Sequence, residues 1–188
     1  MKKHDTKIHI VDSAIDLFWR KSYHGVSMNE LSAEAGVNKA TIYQHFASKE
    51  ELAIAAVARA ADSTTAYIYQ YSFDHSDNPE TRLKTIFSIV YEMHRGIQES
   101  EGHCRGCPFV NLGVELSTSN DRIRAAVDSV FSSFREYYAQ IAGPGAKQSK
   151  TAASLMAIMN GCLVAAKIEN RPETILDGQK RALALLAG

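Results

Sequence analysis

The sequence predicts an all-α protein, and three features of the 188-residue chain lead to that prediction. Apolar residues recur three or four positions apart, which is the spacing of one helix face, over stretches too long for strands. Alternating runs rich in Val, Ile and Thr are absent from the sequence. The four prolines fall where connections between helices are expected. We expect three short helices up to about residue 48 and a larger helical body from residue 49 onward.

The predicted helices have recognisable starts and stops along the chain. The first helix carries one apolar stripe over residues 8–18. A later helix begins at Asn78-Pro79, because Asn is a good N-cap and proline fits the first helical position. The sequence Gly143-Pro144-Gly145 separates two more long helices from what precedes them. Further apolar stripes predict helices that include residues 83–97, 123–141, 152–166 and 176–186.

Composition and charge exclude several classes of protein. Lys plus Arg and Asp plus Glu both total 21, so a uniformly basic nucleic-acid coat is excluded, although a local basic patch is not. The chain has no run of 18 apolar residues, and its N-terminal stretch is amphipathic, so we expect no membrane partner. Three cysteines are too few for a disulfide framework. We therefore expect a cytoplasmic protein in a reducing compartment.

Residues 27–46 carry the strongest local signals in the chain. Ser27 and Glu30 have the spacing of a capping box, which starts a helix. Gly36 lies where that helix has to end, because glycine adopts the left-handed conformation without steric cost. Asn38 is suited to cap a second short helix. Two short helices joined by such a tight turn form a helix-turn-helix, which places its second helix in the DNA major groove.

The second helix of this motif offers a polar surface, with no Asp or Glu between Val37 and Lys49. Gln44 can pair with adenine, and Lys39 can reach guanine or phosphate. Tyr43 and Lys49 suit contacts with the phosphate backbone. The alternative is a polar solvated face that never meets DNA, because residues 1–60 hold eight Lys and Arg against seven Asp and Glu. The predicted DNA-binding residues are Ser27, Met28, Lys39, Ala40, Thr41, Tyr43, Gln44, His45 and Lys49.

Residues 10–56 resemble the DNA-binding domain of the TetR family of bacterial transcriptional regulators. The resemblance implies a DNA-binding domain at residues 1–48, a helical effector-binding and dimerisation domain at 49–188, a homodimer, and a double-stranded DNA operator. It also favours a dimer interface for the small residues of the last two long helices. One departure is Ser22, because the family usually has glycine there. The matching strings are Ile10-Val11-x-x-Ala14-x-x-Leu17-Phe18, Tyr23-x-Gly25-Val26-Ser27-Met28, Leu31-Ser32-x-x-Ala35-Gly36-Val37, Asn38-Lys39-Ala40-Thr41-Ile42-Tyr43-x-His45-Phe46 and Ser48-Lys49-Glu50-Glu51-Leu52.

The body is rich in aromatic and sulfur-containing side chains with a few polar ones among them. This is the composition of an apolar ligand pocket, and ordinary core packing is the alternative for each residue taken singly. We expect an unidentified small-molecule effector and no cofactor. The candidate effector-binding residues are Tyr67, Phe87, Tyr91, His94, Cys107, Asn111, Glu115, Phe134 and Met159.

The sequence over residues 103–108 contains a Cys-x-x-Cys and leaves several interpretations open. A structural zinc site commonly uses two such pairs, and the second pair is missing, so no metal is expected. Arg105 and His103 can lower the pKa of a partly exposed Cys107 thiol on a glycine-containing, pliable segment, which gives a redox- or electrophile-sensing regulator. A thiol oxidoreductase using Cys104 and Cys107 is the enzymatic alternative, and simple packing is the third. The leading hypothesis is a ligand-responsive repressor that is not an enzyme.

Overall fold

The computed structural model describes residues 3–145 and 147–187, so residues 1, 2, 146 and 188 of the predicted domains lie outside the described residues. The described residues form ten α-helices and one π-helical segment and include no strand. The prediction of an all-α fold is confirmed. The helices are α1 (Lys3–Lys21), α2 (Met28–Glu34), α3 (Lys39–Tyr43), α4 (Lys49–Thr64), α5 (Tyr71–Asp74), α6 (Pro79–Glu101), α7 (Pro108–Leu116), α8 (Asp121–Ala142), α9 (Gln148–Glu169) and α10 (Glu173–Ala187).

The chain folds into two compact units, and each unit is built from two separate stretches of sequence. Unit 1 holds the described residues up to Ser63 together with Pro108–Val130, and therefore contains α1 to α3, most of α4, α7 and the start of α8. Unit 2 holds Thr64–Cys107 and the described residues from Phe131 onward. The predicted boundary between the DNA-binding and effector-binding domains, at residues 48 and 49, does not coincide with a boundary between these two units. It stays a prediction.

Unit 1 has an apolar core to which the predicted stripe of α1 contributes. Two ion pairs join α1 to α2: Lys21 Nζ lies 3.1 Å from Glu30 Oε1, and Arg20 Nη2 lies 3.3 Å from Glu34 Oε1. Such partly exposed pairs add little stability, so apolar burial holds the helices together. Buried side chains of this core include Ile10, Ala14, Leu17, Phe18, Leu31, Ile42, Phe46 and Leu52.

Unit 2 is dominated by α6, α9 and α10. Helix α6 begins at the predicted cap, where Asn78 Oδ1 accepts a hydrogen bond from Thr81 N at 2.9 Å and Pro79 occupies the first turn. Helices α9 and α10 approach closely at Gly178, because a Cβ added there would lie 2.9 Å from Cys162 Sγ. The core of unit 2 includes Leu83, Ile86, Phe87, Tyr138, Leu155, Leu163, Ile175 and Ala182.

A π-helical segment, Thr65–Gln70, follows directly on α4 and precedes α5. Apolar spacing along the chain does not predict this segment, because a π turn adds one residue to a helix that otherwise looks regular. The segment buries Ile68 and Tyr69. The Tyr69 ring lies 4.8 Å from the Phe134 ring and 5.0 Å from the Tyr137 ring, centroid to centroid. The π segment thus supplies an aromatic side chain to the interior of unit 2.

Helix α9 is the one described helix that is long and apolar enough to cross a bilayer by length and composition. The mean hydropathy of an 18-residue window in α9 is 1.5, to which small residues contribute. The sequence nevertheless has no uninterrupted apolar run of that length. Core helices of other proteins meet the same criteria, and 39% of this stretch is buried. One such helix is weak evidence for a membrane span.

Candidate nucleic-acid interface

Helix α2 begins at the predicted capping box. Ser27 Oγ accepts a hydrogen bond from Glu30 N at 3.2 Å, and Glu30 Oε2 accepts one from Ser27 N at 2.8 Å. The hydrogen bond from the Ser27 backbone, followed by the one from the Lys21 ammonium, lowers the pKa of Glu30 to about 2. The cap satisfies backbone groups at the helix start that otherwise have no intrahelical partner. This part of the motif is confirmed at the level of individual hydrogen bonds.

The turn between α2 and α3 also has the predicted geometry. Gly36 adopts a φ of 59°, in the left-handed region, and Ser32 Oγ donates a hydrogen bond to Val37 O at 2.5 Å. Asn38 Oδ1 accepts hydrogen bonds from Thr41 N at 2.8 Å and from Thr41 Oγ1 at 2.9 Å. Because the Thr41 hydroxyl serves the cap, its methyl group is the part suited to a base contact.

The surface of α3 and the residues just after it is short and free of acidic side chains. Ile42 and Phe46 face the core, with relative exposures of 0% and 5%. Tyr43 is half exposed, at 50%. Of the other predicted DNA-binding residues, those that lie exposed are Ser27, Lys39, Ala40 and Gln44, and those that lie half-buried are Met28, Thr41, His45 and Lys49.

Lys49 is placed differently from the predicted phosphate contact. Its ammonium donates a hydrogen bond to Tyr23 O at 2.5 Å and a second to the Val26 carbonyl. The same nitrogen lies 4.3 Å from the centroid of the Tyr23 ring, a cation–π distance. Burial lowers the pKa of Lys49, while the carboxylates of Glu115 and Glu30 act in the opposite direction. In this structure the ammonium therefore holds a loop of unit 1 and does not face outward.

Glu115 is also placed differently from its prediction as an effector-binding residue. From α7 it reaches the loop between α1 and α2, where Oε2 accepts a hydrogen bond from Tyr23 N at 2.8 Å and Oε1 accepts one from His24 N at 2.7 Å. The Nδ1 atom of His24 lies 2.9 Å from Oε1. Burial alone would raise the pKa of Glu115, but these hydrogen bonds outweigh it and lower the pKa. Sequence reasoning missed this contact, since the residues are 91 and 92 positions apart and no local motif connects them.

The remaining candidate effector-binding residues fall in both units. Asn111 belongs to unit 1 and the others belong to unit 2. Tyr67 is 76% exposed, so most of its side chain faces solvent. Both ring nitrogens of His94 face carbonyl oxygens, with Nδ1 2.9 Å from Val90 O and Nε2 3.2 Å from Gly106 O, which fixes the ring inside unit 2. Tyr91 is half-buried, and the residues that lie buried are Phe87, His94, Cys107, Phe134 and Met159.

The cysteine segment lacks the features expected of a thiol sensor. Cys107 is 8% exposed and Cys104 only 2%, in contrast to the predicted partial exposure. The Arg105 guanidinium is paired with the Glu101 carboxylate, with Nε 2.7 Å from Oε2, so its charge is compensated. Burial and the carboxylate of Glu173 raise the pKa of Cys104. The described part of the chain also contains no group of three or more His, Cys, Asp or Glu side chains placed to hold a metal ion.

The segment is also packed, where the sequence suggested that its glycines make it pliable. Gly106 has a φ of 69°, and a Cβ added to it would lie 3.2 Å from the Lys167 side chain. Gly106 is therefore needed for a close approach to α9, and the backbone before Cys107 is held in place.

Two family sequence models match this chain. The model described as "Bacterial regulatory proteins, tetR family" matches residues 10–56. The model described as "Transcriptional regulator LmrA/YxaF-like, C-terminal domain" matches residues 83–180, which is more than half of the chain. Both matches concern regulators of transcription, and together they cover α2, α3 and most of unit 2.

Individual relatives agree with these matches. An uncharacterised HTH-type transcriptional regulator in the lacX 3′ region of Lactococcus lactis subsp. lactis is 25% identical over 169 residues, which is 87% of this chain and 84% of that one. The HTH-type transcriptional regulator LmrA of Bacillus subtilis is 27% identical over 135 residues, or 71% of this chain and 69% of that one. The crystal structure of SCO4454, a TetR-family transcriptional regulator from Streptomyces coelicolor, superposes with a TM-score of 0.82 at 22% identity, covering 98% of this chain and 97% of that one. This last similarity shows the shared fold.

Proposed function

Because the chain belongs to the TetR family of bacterial transcriptional regulators, we propose that it is a cytoplasmic repressor that leaves its DNA operator when a small-molecule effector binds. The observation that supports this most is the exposed, acid-free surface of α3, preceded by a fully formed capping box and turn. Both relatives described above are transcriptional regulators.

We assign recognition of the DNA bases to α3 and to Gln44, the residue that follows it. Gln44 is exposed and suited to a bidentate pair with adenine, and Lys39 is exposed at the helix start, within reach of guanine or phosphate. Tyr43 suits a phosphate contact through its hydroxyl. Two copies of the motif in a dimer would read two half-sites about 34–36 Å apart, or further if the dimer requires it.

A homodimer is the proposed assembly, with α9 and α10 as its interface. One face of α9 leaves apolar and small residues uncovered, of which Ile168 is 78% exposed and Val164 39%. A groove of about 450 Å³ along α9 and α10 is lined partly by Gly161 and Ala157 of the same face. Small residues permit a close approach of helices, and a twofold interface uses the same patch on both copies.

The DNA-binding proposal is tested by selection of DNA fragments. The purified full-length protein is incubated with random genomic fragments of bacterial DNA, and the retained fragments are sequenced. We expect a near-palindromic motif whose affinity falls steeply as salt rises, because phosphate contacts release counterions. Retention of no fragment above background, or retention with no shared motif, contradicts the proposal.

The dimer is tested by a pair of matched variants. A Cβ added at Gly161 of α9 or at Gly96 of α6 meets no atom within 4 Å, so an arginine fits the isolated chain at either position. Gly161→Arg is expected to give monomers in sedimentation velocity at micromolar concentration, because the charge lies in the proposed interface. Gly96→Arg should remain dimeric. Monomeric wild-type protein, or a dimeric Gly161→Arg variant, contradicts the proposed interface.

A further inference from the structure

We infer that Glu115 of α7 is a positioning residue for DNA recognition, which holds the loop between α1 and α2 so that α3 is presented correctly to the operator. The inference rests on the proposed function. Helix α7 lies far along the chain from the helix-turn-helix, and the inference gives it a role in positioning the DNA-binding surface.

Glu115 of α7 binds two backbone N–H groups of the loop between α1 and α2. The Glu115 carboxylate uses both oxygens, one for Tyr23 N at 2.8 Å and the other for His24 N at 2.7 Å. Its side chain is 19% exposed, so these charge-assisted bonds are shielded from solvent on most sides. A carboxylate shared by two successive N–H groups fixes the orientation of the peptide between them as well as its position. The loop therefore has one preferred orientation relative to α7 within unit 1.

Lys49 of α4 binds two backbone carbonyl groups of the same loop. The Lys49 ammonium donates to Tyr23 O at 2.5 Å and to the Val26 carbonyl. Tyr23 is thus bound through its N–H by a negative charge and through its C=O by a positive charge. Glu115 also stabilises the charged form of Lys49. Removal of either charge leaves the other with a weaker partner in a half-buried place.

A second contact joins the connection between α7 and α8 to the start of α4. Glu50, the neighbour of Lys49, accepts a hydrogen bond from Asn120 Nδ2 at 2.6 Å and pairs with the Arg122 guanidinium. Asn120 is itself fixed, because its Oδ1 caps α8 by accepting from Ile123 N at 2.9 Å. The first two residues of α4 therefore both connect, through Glu115 or Asn120, to the α7–α8 stretch of unit 1.

The recognition helix depends on these neighbours for its orientation. Helix α3 has only five residues, and short helices are marginal without tertiary contacts. Five residues separate its end at Tyr43 from the start of α4, and Ala47 N within them donates to Glu51 of α4 at 2.9 Å. A change in the loop or in the start of α4 therefore alters the angle at which Gln44 and Tyr43 meet the DNA.

The test compares Glu115→Gln and Glu115→Ala with Asp128→Asn in the full-length protein. Asp128 is an exposed acid of α8 in the same unit, so Asp128→Asn removes the same charge without touching the loop. On charge alone, loss of an acid near DNA strengthens binding. We expect the opposite for Glu115: affinity for the selected operator falls roughly tenfold in Glu115→Gln, the size of losing one base contact, and further in Glu115→Ala. Affinity for unrelated DNA should not fall, and Asp128→Asn should bind the operator at least as well as the wild type.

A second measurement separates positioning from loss of folding. Hydrogen exchange of the Tyr23 and His24 amides should be faster in both Glu115 variants, while exchange in the core of α6 and α9 stays as in the wild type. Wild-type operator affinity in Glu115→Ala, or an equal loss on operator and unrelated DNA, overturns the inference. Selection of no operator by the wild-type protein overturns the proposed function, and the inference with it, even when the two amides are protected as described.

Discussion

The side-chain oxygen of Asn170 accepts a hydrogen bond from the backbone N–H of Cys104 at 2.9 Å, and the Asn170 amide donates to Gly102 O at 2.9 Å. Asn170 ends α9 with a φ of 51°, in the left-handed region that few residues other than glycine adopt. One residue thus terminates α9 and at the same time fixes the cysteine segment that follows α6. The backbone around Cys104 is therefore held by a residue that lies 66 positions later in the chain.

Two substitutions at Asn170 separate its two roles. Asn170→Gly keeps the left-handed conformation and loses both side-chain hydrogen bonds, so we expect a loss of about 2 kcal/mol in the free energy of unfolding. Asn170→Ala loses the same hydrogen bonds and keeps a Cβ in the left-handed region without the local hydrogen bonding that lets asparagine adopt it, so we expect it to be about 1 kcal/mol less stable than Asn170→Gly. Urea denaturation followed by circular dichroism measures both values. Equal stability of the glycine and alanine variants would show that the backbone at this position relaxes.

The three thiols are expected to be unreactive in the folded protein. All three cysteines are buried, and burial raises the pKa of Cys162 to about 12. Because the thiolate is the reactive form, labelling by a thiol reagent at neutral pH should be slow in buffer and fast in urea. DNA binding should be the same before and after mild peroxide treatment. Loss of DNA binding in the wild type but not in Cys107→Ser would instead establish Cys107 as a sensor.

Gln44→Ala is expected to relax sequence preference at one base pair of each half-site. The loss there is about 1–3 kcal/mol, the usual contribution of a bidentate contact with adenine. The measurement is operator affinity for a set of single-base variants, with Gln140→Ala as the control, since Gln140 is an exposed glutamine of α8 outside unit 1. If Gln44→Ala selects the same motif as the wild type, the orientation assigned to α3 is incorrect.

Glu115 should make folding sensitive to acid. Its pKa in the folded protein is lower than its ordinary value of 4.5, so the charged form stabilises the fold at pH values above 4.5. That stabilisation is lost as the pH falls from 4.5 through the lower folded pKa. Urea denaturation at a series of pH values should show a steeper loss in the wild type than in Glu115→Gln, with Asp128→Asn resembling the wild type. Parallel curves for the wild type and Glu115→Gln would mean that the carboxylate is not bound as described.

Local features of the fold could be predicted from the sequence because their causes lie within a few residues. The capping box at Ser27 and Glu30, the left-handed Gly36 and the cap at Asn38 each depend on neighbours no more than three positions away. The same holds for the start of α6 at Asn78. The exposed surface of α3 followed from these, since a helix with a known start and one buried stripe has a defined outer face.

Contacts between distant residues could not be predicted in the same way. The partner of Glu115 is a loop more than 90 residues earlier, and a carboxylate in an apolar helix suits a ligand pocket equally well. An ammonium beside a DNA-reading motif suits a phosphate contact, but two carbonyl groups of its own unit bind that of Lys49. Burial of Cys107 depends on tertiary packing, in which the neighbouring Gly106 lies against α9, and the Cys-x-x-Cys spacing carries no information about that packing.

The π-helical segment between α4 and α5 can accommodate the loss of one residue from the chain. A π turn contains one residue more than the α-helical turn it replaces, so deletion of one residue within Thr65–Gln70 returns the segment to α-helix. The side chains beyond it then keep their direction about the helix axis. Deletion of one residue within α4 itself would instead rotate every following side chain by about 100°. A homologous chain one residue shorter at this point can therefore carry the same inward-facing residues before and after the gap.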